Sequence, residues 1–125
     1  MIIDTDIIIW YLRGSEKARS FIEKLDGFNL SVVSYIELVQ GLRNKTEFRE
    51  LHKAISEWQV HILLINETIS AKAMFYIERY FLSHSLTLAD ALIAATAVVH
   101  SLPLHTGNEK HFRVIRELEV RRFGG

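Results

Sequence analysis

Short apolar runs alternate with segments of helical period along the whole chain. Met1 to Asp4 reads as a strand, and the chain then turns into a helical segment that ends at Gly14, a residue suited to closing a helix. Ser15 is placed to cap a second helix, Glu16 to Leu25, whose apolar positions Ala18, Phe21, Ile22 and Leu25 recur every three or four residues. Asp26-Gly27 marks a turn, and Asn29 to Val33 reads as a second strand. Ser34 then opens a helix running to Gly41 or Leu42, and an amphipathic helix follows from about Thr46 to Trp58. Val60 to Leu64 is a third strand, and Asn66 begins a long helix carrying Ile69, Ala73, Ile77, Tyr80 and Phe81. Thr87 opens the most apolar helix, Leu88 to Val99; Leu102 to His105 is a fourth strand, and Glu119 to Phe123 alternates as a fifth.

Strands this short and apolar, separated by helices, predict an α/β fold with a parallel sheet of four to five strands and helices on both faces. No repeat, linker or low-complexity tract divides the chain, so residues 1–125 are expected to form a single domain. The absence of cysteine excludes a disulfide framework and any thiolate zinc site. No basic segment precedes the first apolar run, and the stretch from Ser85 to Asn108 is broken by Asp90, Pro103 and two histidines, so neither a signal peptide nor a membrane span is expected. These features suit a cytoplasmic protein.

Charge changes the picture locally. The formal net charge is zero, yet from Lys110 onward there are five basic residues (Lys110, Arg113, Arg116, Arg121, Arg122) against two acidic ones. The tail is therefore +3 and the remainder −3, a modest patch that could be a solvated face or a contact for phosphates. Four acids stand alone among apolar neighbours: Asp4 and Asp6 at the start, Glu37 in SVVSYIELVQGL, and Asp90 in LTLADALIAATA. Surface acids elsewhere are interleaved with bases, as in KTEFRELHK. A carboxylate buried without a partner costs several kcal/mol, so each of the four must face water, accept backbone donors or meet a cation.

Helix capping offers one explanation. Ser34 to Glu37 and Thr87 to Asp90 both have the spacing of a capping box, and Asp4 and Asp6 could cap the helix that follows the first strand. The other explanation is convergence. Asp4 and Glu37 lie just past strands, where open α/β sheets gather their ligand sites, and Asp90 joins them if its helix begins alongside. Three or four converging carboxylates repel one another unless a cation sits among them. Hard oxygen donors without cysteine or paired histidines suit Mg²⁺ or Mn²⁺, and such a site favours phosphate chemistry.

IIDTDIIIWYLRG, SVVSYIELVQGL, LTLADALIAATA and LHTGNEKHF, taken together and in this order, resemble the PIN-domain family, specifically the VapC-type toxins of toxin-antitoxin pairs. The resemblance implies a three-layer α/β/α sandwich and a metal-dependent endoribonuclease. Asp4, Glu37 and Asp90 match the acidic positions that would hold Mg²⁺ or Mn²⁺ and activate water against an RNA phosphodiester, leaving a 5′-phosphate. It also implies a homodimer and a cognate antitoxin whose C-terminal segment blocks the site. Thr5 and Asp6 are expected in support. In the last motif, where relatives often carry a fourth acid, this chain has Thr106, Asn108, Glu109 and His111; Asn108 or Glu109 could supply the missing oxygen, while His111 reads as a packed or surface histidine.

His52, His61, His84, His100 and His105 have no paired spacing and read as structural, and Trp10, Tyr11 and Trp58 as core or dimer contacts. Two other readings remain open. The missing fourth acid would suit a PIN module that binds without cleaving. The D-x-D after the first strand also resembles the haloacid-dehalogenase phosphatases, with Asp4 as nucleophile and Asp6 as acid/base, although Ile8 and the isolated Asp90 fit that pattern poorly.

Overall fold

A computed structural model describes residues 1–124; Gly125, the last residue of the expected domain, lies outside the described residues. The elements follow in the order β1 (Ile2–Ile3), α1 (Thr5–Leu12), α2 (Glu16–Glu23), β2 (Phe28–Ser31), α3 (Val32–Gln40), α4 (Lys45–Glu57), β3 (Val60–Leu63), α5 (Glu67–Tyr80), α6 (Leu88–Val99), β4 (Leu104–Thr106), α7 (Glu109–Phe112) and β5 (Val120–Arg122). The five strands form one sheet in the order β3-β2-β1-β4-β5, and every pairing is parallel. The chain therefore builds outward from β1 to one edge, crosses back, and completes the other edge. The reversal falls between β1 and β4, and the crevice beyond their carboxyl ends is the place where such sheets hold ligands.

Side chains alternate across the sheet, and this divides the core in two. Ile2 joins Leu104 and the buried residues of α5, α6 and α7, among them Ile69, Ile93 and Phe112. Its neighbour Ile3 joins Ile7, Ile8, Ala18, Ile22, Leu38 and Leu51 from α1, α2, α3 and α4. Helices thus cover both faces, giving the expected three layers. Among the described residues no helix is long and apolar enough to cross a membrane.

Two local features differ from the reading of the sequence. Ser31, not Ser34, caps α3: its hydroxyl accepts the Val33 N–H at 3.1 Å, so β2 ends at Ser31 and residues 32–33 already belong to the helix. Ser34 is left inside α3, fully buried, and Glu37 has no capping box to serve. The second is α7, a single turn whose four residues are too few to show a helical period. At α6 the expected Leu88 to Val99 is observed, with the Thr87–Asp90 capping box formed.

The cap assignment predicts that Ser31→Ala lowers stability by about 1 kcal/mol. The denaturant midpoint with unchanged m-value measures it.

Candidate active site

The site grows from the carboxyl end of β1. The Asp4 N–H bonds to the His105 carbonyl at 2.9 Å, tying the residue just past β1 to β4 one residue before that strand ends. Ile2 points to the α6 side and Ile3 to the α1 side, so the pleat returns Asp4 to the α6 side, where Thr106 also points. The Thr106 hydroxyl donates to Asp4 Oδ2 at 2.7 Å and accepts the Asn108 N–H at 2.9 Å. Asp4 Oδ1 accepts the Thr5 N–H at 2.8 Å, and Asp4 is the N-cap of α1. Only 7% of this carboxylate residue is exposed.

Thr5 carries the network to α3. Its hydroxyl lies 2.8 Å from Glu37 Oε1 and 2.7 Å from the Ser34 hydroxyl. An ionised carboxylate only accepts, so the Thr5 proton goes to Glu37, and the buried Ser34 hydroxyl donates in turn to Thr5. Ser34, which local spacing marked as a helix cap, is therefore what steadies the link between α1 and Glu37.

Asp6 sits one residue further along α1. Its Oδ2 accepts the Gly107 N–H at 3.0 Å, and its Oδ1 is buried without a partner. Gly107 leaves no room for a side chain, because a Cβ there would stand 2.3 Å from Trp10 Cη2. Asp6 and Trp10, four residues apart on one face of α1, thus clamp the loop that follows β4. Asp90 completes the group from the first turn of α6. Its Oδ2 accepts the Thr87 N–H at 3.3 Å and lies 3.3 Å from His111 Nδ1, with the Asp90 side chain 17% exposed.

The remaining residues of interest fall around this core. Asn108 is exposed; its backbone N–H bonds to Thr106, and its side chain makes no capping bond. Glu109 faces Arg113 at 2.9 Å and Arg122 at 3.9 Å, and is not joined to the Asp4 network. His111, which local spacing marked as a packed or surface residue, contacts Asp90; the pairing joins two elements and has no signature in either segment.

Electrostatics sets the chemistry of this cleft. Burial pushes the Asp4 carboxyl up to about 7, the nearby Asp6 and Asp90 carboxylates push the same way, and the bonds from Thr106 and Thr5 oppose them. Asp6 is also raised, chiefly by burial and against its backbone bonds, with Asp90 contributing. Asp4, Asp6 and Asp90 therefore feel one another as like charges. Among the described residues no three acidic or imidazole side chains stand close enough to enclose a metal ion as they are placed. Yet the donors are all hard oxygen and the carboxylates repel, and a divalent cation among them would suit the first and relieve the second.

Comparison with known proteins agrees with the geometry. The model of the PIN domain matches residues 1–118. Ribonuclease VapC10 of Mycobacterium tuberculosis is 37% identical over 95% of this chain and 90% of its own length. A toxin-antitoxin complex from Klebsiella pneumoniae contains a chain of similar fold, with a TM-score of 0.74 and 27% identity over 94% of this chain and 93% of that one. The structure of VapBC-1 from nontypeable Haemophilus influenzae superposes with a TM-score of 0.81 at 23% identity, over 97% of this chain and 96% of that one, a likeness of fold.

The raised Asp4 carboxyl makes a stability prediction. Between about pH 4 and about pH 7 the folded protein binds a proton that the unfolded chain has released, so stability falls as pH rises through this window and levels off above it. The full effect is of order 4 kcal/mol. Thermal melts in EDTA across this range should show the decline, and Asp4→Asn should reduce it, leaving the share that the raised Asp6 carboxyl contributes, and be the more stable protein above the window.

Proposed function

The chain belongs to the PIN-domain family, and from that premise we propose that it is a metal-dependent endoribonuclease, the toxin of a toxin-antitoxin pair. The observation that carries the reading is the position of Asp4, buried at the sheet's topological reversal in the field of the Asp6 and Asp90 carboxylates. The names of its relatives support the same activity.

In this reading Asp4, Glu37 and Asp90 hold Mg²⁺ or Mn²⁺. Once bound, the ion supplies positive charge for the phosphoryl oxygens and lowers the pKa of a bound water. Asp4 is fixed by Thr5 and Thr106, whereas Glu37 and Asp90 retain solvent exposure and would complete the donor set for the ion. Thr5 orients Glu37, Thr106 orients Asp4, and His111 braces Asp90 from outside. Asp6 acts through the Gly107 loop and through its charge, in a supporting role. Water adds to phosphorus as the bond to the 3′ oxygen breaks, and one of its protons passes to the departing oxygen, leaving a 3′-hydroxyl and a 5′-phosphate. The phosphatase reading of the Asp4-Asp6 pair has little to rest on, since the PIN-domain model matches residues 1–118.

Two surfaces suit the protein partners. A groove of about 500 Å³ between α1, α3 and α4 is walled by Ile9, Leu12 and Leu42 together with Arg13, Arg43 and Glu37. A peptide of the cognate antitoxin seated there lies against Glu37 and obstructs the site. Met74, Phe75, Phe81 and Leu82 are exposed and recur at helical spacing along α5 and its end, which suits a homodimer formed with a second copy. Cleavage of cellular RNA under the control of an antitoxin suits a cytoplasmic location.

Purified protein freed of antitoxin should cleave cellular RNA in Mn²⁺, and Asp4→Asn, Glu37→Gln and Asp90→Asn should each reduce the rate by about 10²-fold or more with the circular dichroism spectrum unchanged. Asp6→Asn should cost less, about 10-fold to 10²-fold. Loss of Mn²⁺ binding in Asp6→Asn with retention in Asp4→Asn would reverse the ranking, and a wild type without cleavage would leave a binding module. For the dimer, sedimentation velocity should show wild-type dimers and monomeric Phe75→Glu/Leu82→Glu protein; a wild-type monomer would remove this assignment.

A further inference from the structure

Beside the carboxylate cleft, on the β4–β5 side, two arginines converge on one acid. The Glu109 carboxylate, at the start of α7, lies 2.9 Å from an Arg113 terminal nitrogen and 3.9 Å from Arg122 Nε. The Glu109 side chain is 22% exposed, whereas those of Arg113 and Arg122 are 66% and 71% exposed. The acid is therefore the inner member of the group and the guanidinium ends face solvent. Among the described residues neither arginine has another carboxylate within 4.0 Å. The group carries one net positive charge, and most of its N–H donors are unspent.

Its position is fixed by the ladder. Arg122 is the register partner of Thr106, and paired residues of neighbouring parallel strands point to the same face of the sheet. Thr106 is the residue whose hydroxyl binds Asp4. The Arg122 backbone thus stands one strand spacing, about 4.8 Å, outward from the residue that holds the central carboxylate. Its neighbour Arg121 pairs with His105 and points to the opposite face, so the placement singles out Arg122 within the basic tail. A planar guanidinium with free fork donors is matched to a phosphate in a way that a carboxylate cluster is not.

We propose that Arg113 and Arg122, held together by Glu109, form a subsite for a phosphate of the RNA strand next to the one being cleaved. The inference rests on the nuclease reading above. It assigns Glu109 a second role in place of metal ligation: the acid positions two arginines, and the strand is drawn across the β4–β5 edge of the cleft. A flanking phosphate anchored there aligns the scissile one over Asp4, while the carboxylates themselves would repel the strand.

The test uses the full chain and a short, fluorescently labelled single-stranded RNA of mixed sequence, with anisotropy measured in EDTA so that nothing is cleaved. Arg122→Ala and Arg113→Ala should each weaken binding by about 3-fold to 10-fold at low salt, and should reduce the slope of log affinity against log salt by about 0.7 for each phosphate no longer neutralised. Arg122→Lys, which keeps the charge but not the fork, should retain the salt slope and part of the affinity. Glu109→Gln should bind Mn²⁺ like the wild type in titration calorimetry. Wild-type affinity and slope in both alanine variants would overturn the subsite and leave the nuclease reading standing. Loss of Mn²⁺ binding in Glu109→Gln would make Glu109 a metal ligand and likewise overturn the assignment. A wild type that neither binds this RNA nor cleaves RNA in Mn²⁺ would remove the nuclease reading and the subsite with it.

Discussion

The structure depends on one unfavourable act, the burial of the Asp4 carboxylate at the end of the central strand. Two donors meet it, the Thr5 N–H and the Thr106 hydroxyl, and each comes from a different part of the chain. They do not fully offset desolvation and the charges of Asp6 and Asp90, so the carboxyl is raised to about 7. The metal-free protein near neutral pH therefore sits between two protonation states, and a cation would favour one of them. Instability of this kind, concentrated where a ligand would relieve it, is characteristic of functional sites.

The sheet order makes this burial unavoidable. With β1 between β2 and β4, its carboxyl end is enclosed by neighbours on both sides and by helices on both faces. The period of two then decides direction: Ile2 and Leu104 enter one half of the core, and Asp4 and Thr106, each two residues further on, point the same way. Asp90 begins the helix packed on that face. The same rule separates Arg122 from Arg121 two strands away from Asp4. A shift of one residue in the β1–β4 register would turn Asp4 into the aliphatic half that holds Ile3 and Ile7.

Much of this was legible in the sequence because it is local. The span of α6 and its capping box follow from apolar period and a Thr-x-x-Asp signature, and the isolation of the four acids is visible in any reading of the chain. Contacts across long separations are a different matter. Thr106 meets Asp4 across 102 residues and Thr5 meets Glu37 across 32, and no local pattern encodes either pairing. Ser31 and Ser34 show the limit most clearly. Both are serines near a strand–helix boundary, the second has the better capping spacing, and the fold uses the first because β2 ends there. Glu109 likewise had the composition of a ligand, but in the fold its carboxylate faces two arginines, one of them from β5, a pairing that no local pattern encodes.

Capping and chemistry, set against each other by the sequence, are compatible in the folded protein. Asp4 caps α1, Asp90 belongs to the capping box of α6, and both still contribute to the shared field of the cleft. A helix N-terminus supplies the backbone donors and dipole that hold a carboxylate in place, worth roughly 0.3–1 kcal/mol each. That is too little to offset the repulsion among several acids, yet it fixes where they stand. Glu37 differs, since it lies within α3 and is held through the Thr5 hydroxyl. Two acids are thus positioned by helix starts and the third by a side chain that is itself in the first turn of α1. The fold places two acids by secondary structure and one by a side-chain bond, and the hydrogen bonds that hold Asp4 do not cancel its burial or the charges of Asp6 and Asp90.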